Sequence, residues 1–312
     1  MKAALGIDTS CYVTSVALVD SSGGVLFHGR QKLAVKEGLG LRQQEAVFAH
    51  IRQLPPLLEQ AFALARENAA EIAAIGASHA PRGAADSYMP VFVAGLSQAE
   101  GLAAAWDKPL YRFSHQRGHV RAAMIGRNDW PEEMLCVHLS GGTTEILRVK
   151  GTEVLDTLGG SLDIAAGQLI DRIGVLMGLP FPAGPELEKL AMRAEKPGES
   201  LSVSMKGLDL NLSGLEAEAK RRLQRGADEA QLALGLFLAL GDGLGKWIAK
   251  AMEQTKLSFA LVAGGVAANA IIEKSARSML PPGAELAFAP LDFAGDNACG
   301  TALLAMETLF CE

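Results

Sequence analysis

Two histidines spaced four residues apart are the first candidates for metal chemistry in this sequence. His115 and His119 lie in the segment SHQRGHV at 114–120. Residues i and i+4 share one face of a helix, so both imidazoles can reach a single metal ion. The same spacing also occurs by chance on solvated helix faces. The spacing alone therefore leaves both interpretations open, and a metal site requires further ligands.

Two more side chains are candidates for completing such a site. Asp296 stands in FAGDNACG, just before the last predicted helix, and His138 ends a predicted strand beside an SGG turn. Imidazole and carboxylate ligands suit zinc or iron. The remaining histidines have no comparable neighbours and are interpreted as structural or surface residues; they are His28, His50 and His79.

Three glycine-containing segments have the chemistry of a nucleotide site. They are GIDTSC (6–11), HLSGGTTEI (138–146) and LVAGGVAANA (261–270). Glycines at a turn let backbone N–H groups approach an anionic oxygen, and a helix N-terminus favours anions. Each segment alone is also explained by tight packing, but all three in this order favour a nucleotide site, with Asn269 placed to contact a base edge. The chain has no GxxxxGK[ST] motif, which excludes a P-loop.

Two acidic residues follow the second glycine segment. Asp171, in AAGQLIDRIG, is either a solvated helix residue or an acceptor for two ribose hydroxyls. In PAGPELEK (182–189), Gly184 permits close approach of the backbone, and Glu188 lies one helical turn further along.

The composition indicates a globular chain. Of 312 residues, 49% are hydrophobic and 21% are charged, with a net charge of -6. A tight, purely electrostatic nucleic-acid binder would be basic, so any RNA contact requires a local basic patch or a helper protein. The cysteines are expected to be reduced thiols, with packing roles for the two that lie inside motifs, Cys11 and Cys299; all four are Cys11, Cys136, Cys299 and Cys311.

The sequence predicts a cytoplasmic chain with no membrane partner. The N-terminus, MKAALGIDTS, runs straight into a strand pattern and lacks the features of a signal peptide. The most apolar later segment, QLALGLFLALGDGLGKWIAKAM, is interrupted by Asp242 and Lys246 and is predicted to be too short to cross a bilayer.

The order of the predicted elements indicates a duplicated α/β fold. A strand, a small-residue turn and two further strands occur at 3–8, 14–20 and 24–35, and again at 134–140, 144–151 and 152–159. The first long helix, 43–69, is predicted to break at Pro55-Pro56. This plan is that of the actin, Hsp70 and sugar-kinase superfamily, with a nucleotide between two duplicated subdomains. We expect the first subdomain at 1–108, joined by the last helix at 296–312, and the second, with helical insertions, at 109–295.

The motifs resemble those of the TsaD family, formerly called glycoprotease, whose archaeal and eukaryotic counterpart is the catalytic subunit of KEOPS. In that family's order the chain carries GIDTSC, HQRGH, LSGGTTEI, LDIAAGQLIDRIGVLMGLPFPAGP, LSGL, VAGGVAAN and GDNA. The resemblance spans essentially the whole chain. It implies an actin-like fold and an acyltransferase that moves threonylcarbamoyl from threonylcarbamoyl-adenylate to the adenosine beside the anticodon of tRNAs reading ANN codons.

The resemblance also implies a set of site residues, cofactors and partners. His115, His119 and Asp296 match the family's metal ligands for one divalent or ferric ion, iron or zinc, and His138 offers a fourth. The expected adenylate contacts, for the substrate or for ATP, ADP or AMP as analogues, are His138, Leu139, Ser140, Gly141, Gly142, Asp171, Gly184, Glu188, Gly264, Gly265 and Asn269. The expected partners are tRNA and TsaB-like and TsaE-like proteins, with a homodimer as a further option.

Several positions depart from the family pattern. An acidic pair after Ser-Cys is Tyr12-Val13 here, and Glu216 replaces a basic residue where RNA is expected; the other departures are Thr143, Gln168 and APRG at 80–83. Two alternatives therefore stay open: a paralogue that uses nucleotide and metal for another carbamoyl- or phosphoryl-transfer reaction, and a non-catalytic partner subunit.

Overall fold

The chain forms two compact units of α/β structure. A computed structural model describes residues 1–10, 12–33, 42–84 and 86–311. Contacts define one unit as Met1–Gly126 with Gly295–Glu312, and the other as Arg127–Ala294. The predicted subdomain boundaries stay a prediction, because a unit defined by contacts need not coincide with a duplicated subdomain.

Groups of strands and groups of helices follow one another along the described chain. Up to Gly126 they are β1 Lys2–Thr9, β2 Val13–Asp20, β3 Val25–Lys32, α1 Gln43–Glu67, β4 Glu71–Ala80, α2 Val91–Trp106, β5 Leu110–Ser114 and α3 His115–Ala123. After it they are β6 Glu133–Leu139, β7 Thr144–Lys150, β8 Glu153–Gly160, α4 Ala166–Leu176, α5 Gly184–Ala191, β9 Ser204–Lys206, β10 Asp209–Asn211, α6 Ser213–Gln224, α7 Glu229–Thr255, β11 Phe259–Ala263, a 3-10 turn Gly265–Ala268, α8 Ala270–Ser278, β12 Glu285–Phe288, α9 Leu291–Ala294 and α10 Cys299–Cys311.

The two five-stranded sheets have the same topology. Their orders are β3-β2-β1-β4-β5 and, read from the opposite edge, β8-β7-β6-β11-β12. In each sheet the first three strands are antiparallel hairpins and the last two pair in parallel. The duplication predicted from the sequence is therefore present in the strand order of both sheets.

Glycines allow α10 to lie directly on the sheet of the first unit. An added Cβ on Gly6 of β1 would stand 2.4 Å from the carbonyl oxygen of Ala298. One on Gly76 of β4 would stand 2.4 Å from the carbonyl oxygen of Thr301. Neither position can carry a side chain, so these two strands fix where α10 and the residues just before it are placed.

Helix α1 continues through its two prolines, so the predicted break was wrong. Pro55 and Pro56 cannot donate to the carbonyls of Ile51 and Arg52, four residues earlier. Both of these residues are exposed, so water can satisfy the released carbonyls. Strand β3 ends at Lys32, before the predicted end at 35; residues 34 and 35 lie outside the described part of the chain.

The apolar segment that was predicted to be too short to cross a bilayer lies within a longer helix, α7. The helix spans 27 residues, which by length and composition alone is enough to cross a membrane. The helix continues through Asp242, whose carboxylate accepts a hydrogen bond from the Ser275 hydroxyl at 2.5 Å. Of the helix's most apolar window, 67% is buried, and its Trp247 donates to the carbonyl of Leu208 at 2.8 Å. These are the features of a core helix, and Trp247 belongs to the hydrophobic core of the second unit.

Candidate metal centre and adenylate site

Helix α3 presents the two histidines predicted to bind metal. The helix begins after Ser114, whose hydroxyl accepts a hydrogen bond from the Arg117 amide at 3.2 Å. This N-cap stops the preceding strand and makes His115 the first helical residue. His119 follows one turn later on the same face and is buried. The predicted helical placement of the pair is therefore confirmed.

Three ligand atoms converge in the first unit. The His119 Nε2 atom lies 2.9 Å from His115 Nε2 and 3.1 Å from Asp296 Oδ1. His115 Nε2 and Asp296 Oδ1 are 3.7 Å apart. Ligands at bond lengths of about 2.0–2.1 Å in a tetrahedral zinc site stand about 3.3 Å from one another. The three residues therefore fit one metal ion in both chemistry and spacing.

The acidic and imidazole groups of this cluster each stabilise the charged form of the other. Burial opposes a charge on His115, but the carboxylates of Asp8 and Asp296 outweigh it and raise the pKa of the imidazole well above its usual value. Burial likewise disfavours ionised Asp296, but hydrogen bonds from His115 and His119 outweigh it and hold the pKa of the carboxyl well below its usual range. Asp296 is therefore a carboxylate at neutral pH, the form that ligates a metal.

Two side chains, Asp8 at the end of β1 and Ser10 just after it, bind the ligand residues through atoms that do not face the other ligands. Asp8 Oδ2 accepts hydrogen bonds from His115 Nδ1, at 2.7 Å, and from the Ser78 hydroxyl. The hydroxyl of Ser10 donates to Asp296 Oδ2 at 2.6 Å. The sequence analysis placed this segment among the nucleotide loops and missed these contacts. The available signal was the alternation of strand residues, which puts positions 8 and 10 on one face. Cys11 lies outside the described residues.

In the second unit, the hairpin between β6 and β7 forms an open glycine turn. The Ser140 hydroxyl accepts hydrogen bonds from the amides of Gly142, at 3.3 Å, and Thr143, at 3.0 Å. Gly141 and Gly142 are exposed, and no atom lies within 4 Å of a Cβ added to either. A phosphate oxygen can thus approach their backbone closely.

The two glycines after β11 have different roles. Gly264 has a φ of 98°, and an added Cβ would stand 2.1 Å from the Leu139 carbonyl oxygen, so this residue packs the loop against the end of β6. Nothing lies within 4 Å of a Cβ on Gly265. Tight packing therefore explains why Gly264 is a glycine, whereas Gly265 has open space in which a ligand can approach.

The other predicted adenylate contacts each accept a backbone hydrogen bond. Asp171 Oδ1 accepts from the Ala183 amide at 2.8 Å, beside Gly184 at the start of α5. Glu188 Oε1 accepts from the Ala270 amide at 2.8 Å. Asn269 caps α8 by accepting from the Ile272 amide at 2.9 Å, a bond that leaves its Nδ2 hydrogens for a base edge. Their roles at an adenylate stay predictions.

Sequence comparison identifies the family. The sequence model described as TsaD, tRNA N6-adenosine threonylcarbamoyltransferase, matches residues 27–303. A tRNA N6-adenosine threonylcarbamoyltransferase of Thermus thermophilus is 33% identical over 308 residues, covering 96% of this chain and 91% of the relative. The chain belongs to the TsaD family. The resemblance inferred from the motifs is confirmed, and the family's activity makes the chain a transferase that acts on tRNA.

Solved structures confirm the predicted actin-like, sugar-kinase fold. Component A of (R)-2-hydroxyglutaryl-CoA dehydratase from Acidaminococcus fermentans superposes with a TM-score of 0.61 at 18% identity, covering 99% of both chains. A ROK family glucokinase from Streptomyces griseus superposes with a TM-score of 0.56 at 14% identity, covering 98% of this chain and 99% of that chain. At these identities the similarity concerns the fold alone.

Two departures from the TsaD pattern acquire structural explanations. Gln168 Oε1 accepts a hydrogen bond from the Ala165 amide at 3.3 Å, at the start of α4. Glu216 is 6% exposed and contacts Arg172, at 3.3 Å, and Lys220. Glu216 therefore does not present its charge to solvent, because this carboxylate is buried against two cations; an RNA contact at this surface stays a prediction.

The Glu216→Lys variant is consequently expected to be less stable, with no gain in affinity for tRNA. It places a third cation beside the half-exposed Arg172 and Lys220, and the loss of the buried carboxylate, reduced by solvent screening of its partners, costs about 1 to 3 kcal/mol. Urea unfolding measures this loss. Glu253→Lys, on the exposed part of α7, is the matched control, with an expected change within about 0.5 kcal/mol. Unchanged stability together with tighter tRNA binding would restore the surface interpretation.

His138 and the buried cysteines complete the survey of predicted residues. His138 belongs to the second unit, where its Nδ1 lies 3.9 Å from Glu145 Oε1 on the paired strand, and its role as a fourth metal ligand stays a prediction. Burial raises the pKa of the Cys136 and Cys299 thiols to about 12. Neither thiol is ionised at neutral pH, which favours the packing role expected for Cys299.

Proposed function

We propose that this TsaD family member transfers threonylcarbamoyl from threonylcarbamoyl-adenylate to N6 of the adenosine beside the anticodon of ANN-reading tRNAs. The observation that carries the proposal is the convergence of His115 Nε2, His119 Nε2 and Asp296 Oδ1 in a chain of this family. We further propose zinc or iron as the metal, since two imidazoles and a carboxylate suit either.

The adenylate is proposed to bind the glycine loops of the second unit. The backbone at Gly141, Gly142 and Gly265 has the open space that a phosphate oxygen requires. Asp171 retains acceptor capacity for ribose hydroxyls, because a carboxylate can accept several hydrogen bonds at once. Asn269 retains its Nδ2 donors for the base. Gly184 and Glu188 complete the proposed contacts near the start of α5 and α8.

In the proposed reaction the N6 amine attacks the carbamoyl carbon, a new C–N bond forms, the C–O bond to AMP breaks, and the amine releases one proton to water. When bound, the metal ion would supply a Lewis acid for charge developing on substrate oxygen. His115, His119 and Asp296 would hold that ion in place. The loop amides bind the phosphate, which leaves as AMP. The reaction needs no side-chain nucleophile, consistent with the protonated state of Cys136 and Cys299.

TsaB-like and TsaE-like proteins are the proposed partners. The net charge of -6 gives this chain little general attraction for RNA. A partner that supplies basic surface would therefore assist tRNA binding.

The test is transfer of a radiolabel to tRNA from threonylcarbamoyl-adenylate whose threonyl group carries the label. The purified chain, its partners and metal are incubated with threonylcarbamoyl-adenylate and an ANN-reading tRNA. We expect label in this tRNA and none in the same tRNA with guanosine in place of the acceptor adenosine. Absence of product from a folded, metal-loaded sample, beside an active control enzyme, would refute the proposal and favour another carbamoyl- or phosphoryl-transfer reaction.

A further inference from the structure

We propose that the segment GIDTS (6–10) is a support for the metal centre, in which Asp8 and Ser10 act as positioning residues. Asp8 selects the His115 tautomer that ligates, and Ser10 restricts Asp296 to one ligating oxygen. This inference rests on the proposed function, because it concerns the same centre. It assigns to the first glycine segment a task other than holding phosphate.

Asp8 determines which nitrogen of His115 faces the cluster. A carboxylate only accepts hydrogen bonds, so the 2.7 Å contact requires the proton on His115 Nδ1. In the neutral imidazole, the form that binds a metal, the lone pair is then on Nε2, the atom that lies 2.9 Å from His119 Nε2. Carboxylates that accept from the outer nitrogen of a metal-binding histidine fix its tautomer and orientation and increase its basicity.

Ser10 determines how Asp296 can ligate. Its hydroxyl donates to Oδ2 at 2.6 Å, while Oδ1 lies 3.1 Å from His119 Nε2. With Oδ2 engaged, Asp296 offers a metal one oxygen. Without the hydroxyl, the carboxylate could rotate and ligate through both oxygens, which would increase the coordination number.

The strand that carries these residues is fixed on both sides. The hydroxyl of Thr9 donates to the Val91 carbonyl at 2.8 Å and accepts from the Gly95 amide at 3.1 Å, which ties the end of β1 to α2. On the other face, the hydroxyl of Ser78 donates to Asp8. Such support keeps ligating atoms within the narrow tolerance that a metal site requires.

The burial of Asp8 also indicates a functional role. Its side chain is 1% exposed, and its Oδ1 atom has no hydrogen-bond partner among the described residues. A buried carboxylate with an unsatisfied oxygen opposes folding. Its retention is accounted for by what its other oxygen does for His115.

The inference is tested with Co²⁺ alone, by measuring its affinity and its visible absorption in the purified chain. Asp8→Asn is expected to weaken Co²⁺ binding by about 10- to 100-fold, because an amide can also donate to Nδ1 and stabilise the wrong tautomer. Ser10→Ala is expected to weaken it by about 10-fold and to reduce the intense absorption of tetrahedral Co²⁺. Ser10→Thr retains the hydroxyl and should restore both affinity and spectrum.

Ser15→Ala is the matched control. This neighbouring buried serine donates to the Asp8 backbone carbonyl at 3.1 Å, not to a ligand, so its loss should leave the spectrum unchanged. Wild-type affinity and spectrum in folded Ser10→Ala and Asp8→Asn would overturn the inference. If Asp8→Asn does not fold, the Ser10 pair decides. If wild-type protein itself binds no Co²⁺, the proposed metal centre fails instead.

Discussion

The His119→Ala variant is expected to lose its metal and to transfer threonylcarbamoyl about 10³-fold more slowly than the wild type. His119 Nε2 contacts both other ligand atoms, at 2.9 and 3.1 Å, so its removal leaves two ligands that no longer enclose an ion. Single-turnover transfer to an ANN-reading tRNA gives the rate of the chemical step. Elemental analysis of the same sample gives the metal content.

His79→Ala is the control for loss of a histidine from the same unit. His79 is exposed, contacts the Phe113 carbonyl through Nδ1 at 2.8 Å and is not one of the three residues whose ligand atoms converge. The His79→Ala variant should retain both the metal content and the transfer rate of the wild type. Asp296→Asn removes the ligand that precedes α10 instead of one on α3, and it should lose metal as His119→Ala does. A folded, metal-free His119→Ala protein with the wild-type rate would show that transfer does not depend on this metal.

The sequence predicted the histidine pair because the information is local. Helical periodicity places His115 and His119 on one face whatever surrounds them. Asp296 lies 177 residues beyond His119, and only the packing of α10 against α3 brings them to 3.1 Å. Helical periodicity cannot predict a contact between residues so far apart in the sequence. Asp296 was one of two candidates for a further ligand from its type and its place before the last helix, and the resemblance to TsaD proteins then matched it to a metal ligand.

The contacts of individual polar groups were the least predictable part of the site. Asp8 and Ser10 were attributed to a nucleotide loop, because glycine and hydroxyl residues at a hairpin also suit phosphate. Glu216 was placed on the surface, because composition does not reveal that its carboxylate is buried while it pairs with the half-exposed Arg172 and Lys220. Such pairings depend on which helices and strands pack together. Sequence periodicity and propensity predict only the helix or strand to which each residue belongs.

Gly300→Ala is expected to destabilise the first unit by about 3 kcal/mol and to weaken metal binding by at least about 10-fold. A Cβ on Gly300 would stand 1.9 Å from the Gly118 carbonyl oxygen and 2.8 Å from the Ala122 amide nitrogen. Helices α3 and α10 must therefore separate. Because α3 carries both histidines and Asp296 directly precedes α10, the same movement separates the ligands.

Two other glycines give this prediction a graded control. A Cβ on Gly118 would stand 3.0 Å from the Thr301 hydroxyl and in ordinary contact, at 3.9 Å, with the Thr301 amide nitrogen, so Gly118→Ala should have a smaller effect on both stability and affinity. Gly101 lies in the exposed interior of α2 with nothing within 4 Å of an added Cβ, so Gly101→Ala should stabilise the protein by up to about 1 kcal/mol. Urea unfolding and Co²⁺ titration of the three variants measure both effects. Stability lost at Gly300 without loss of Co²⁺ affinity would mean that the ligands do not depend on the α3–α10 contact, and equal effects at Gly300 and Gly118 would remove the steric explanation.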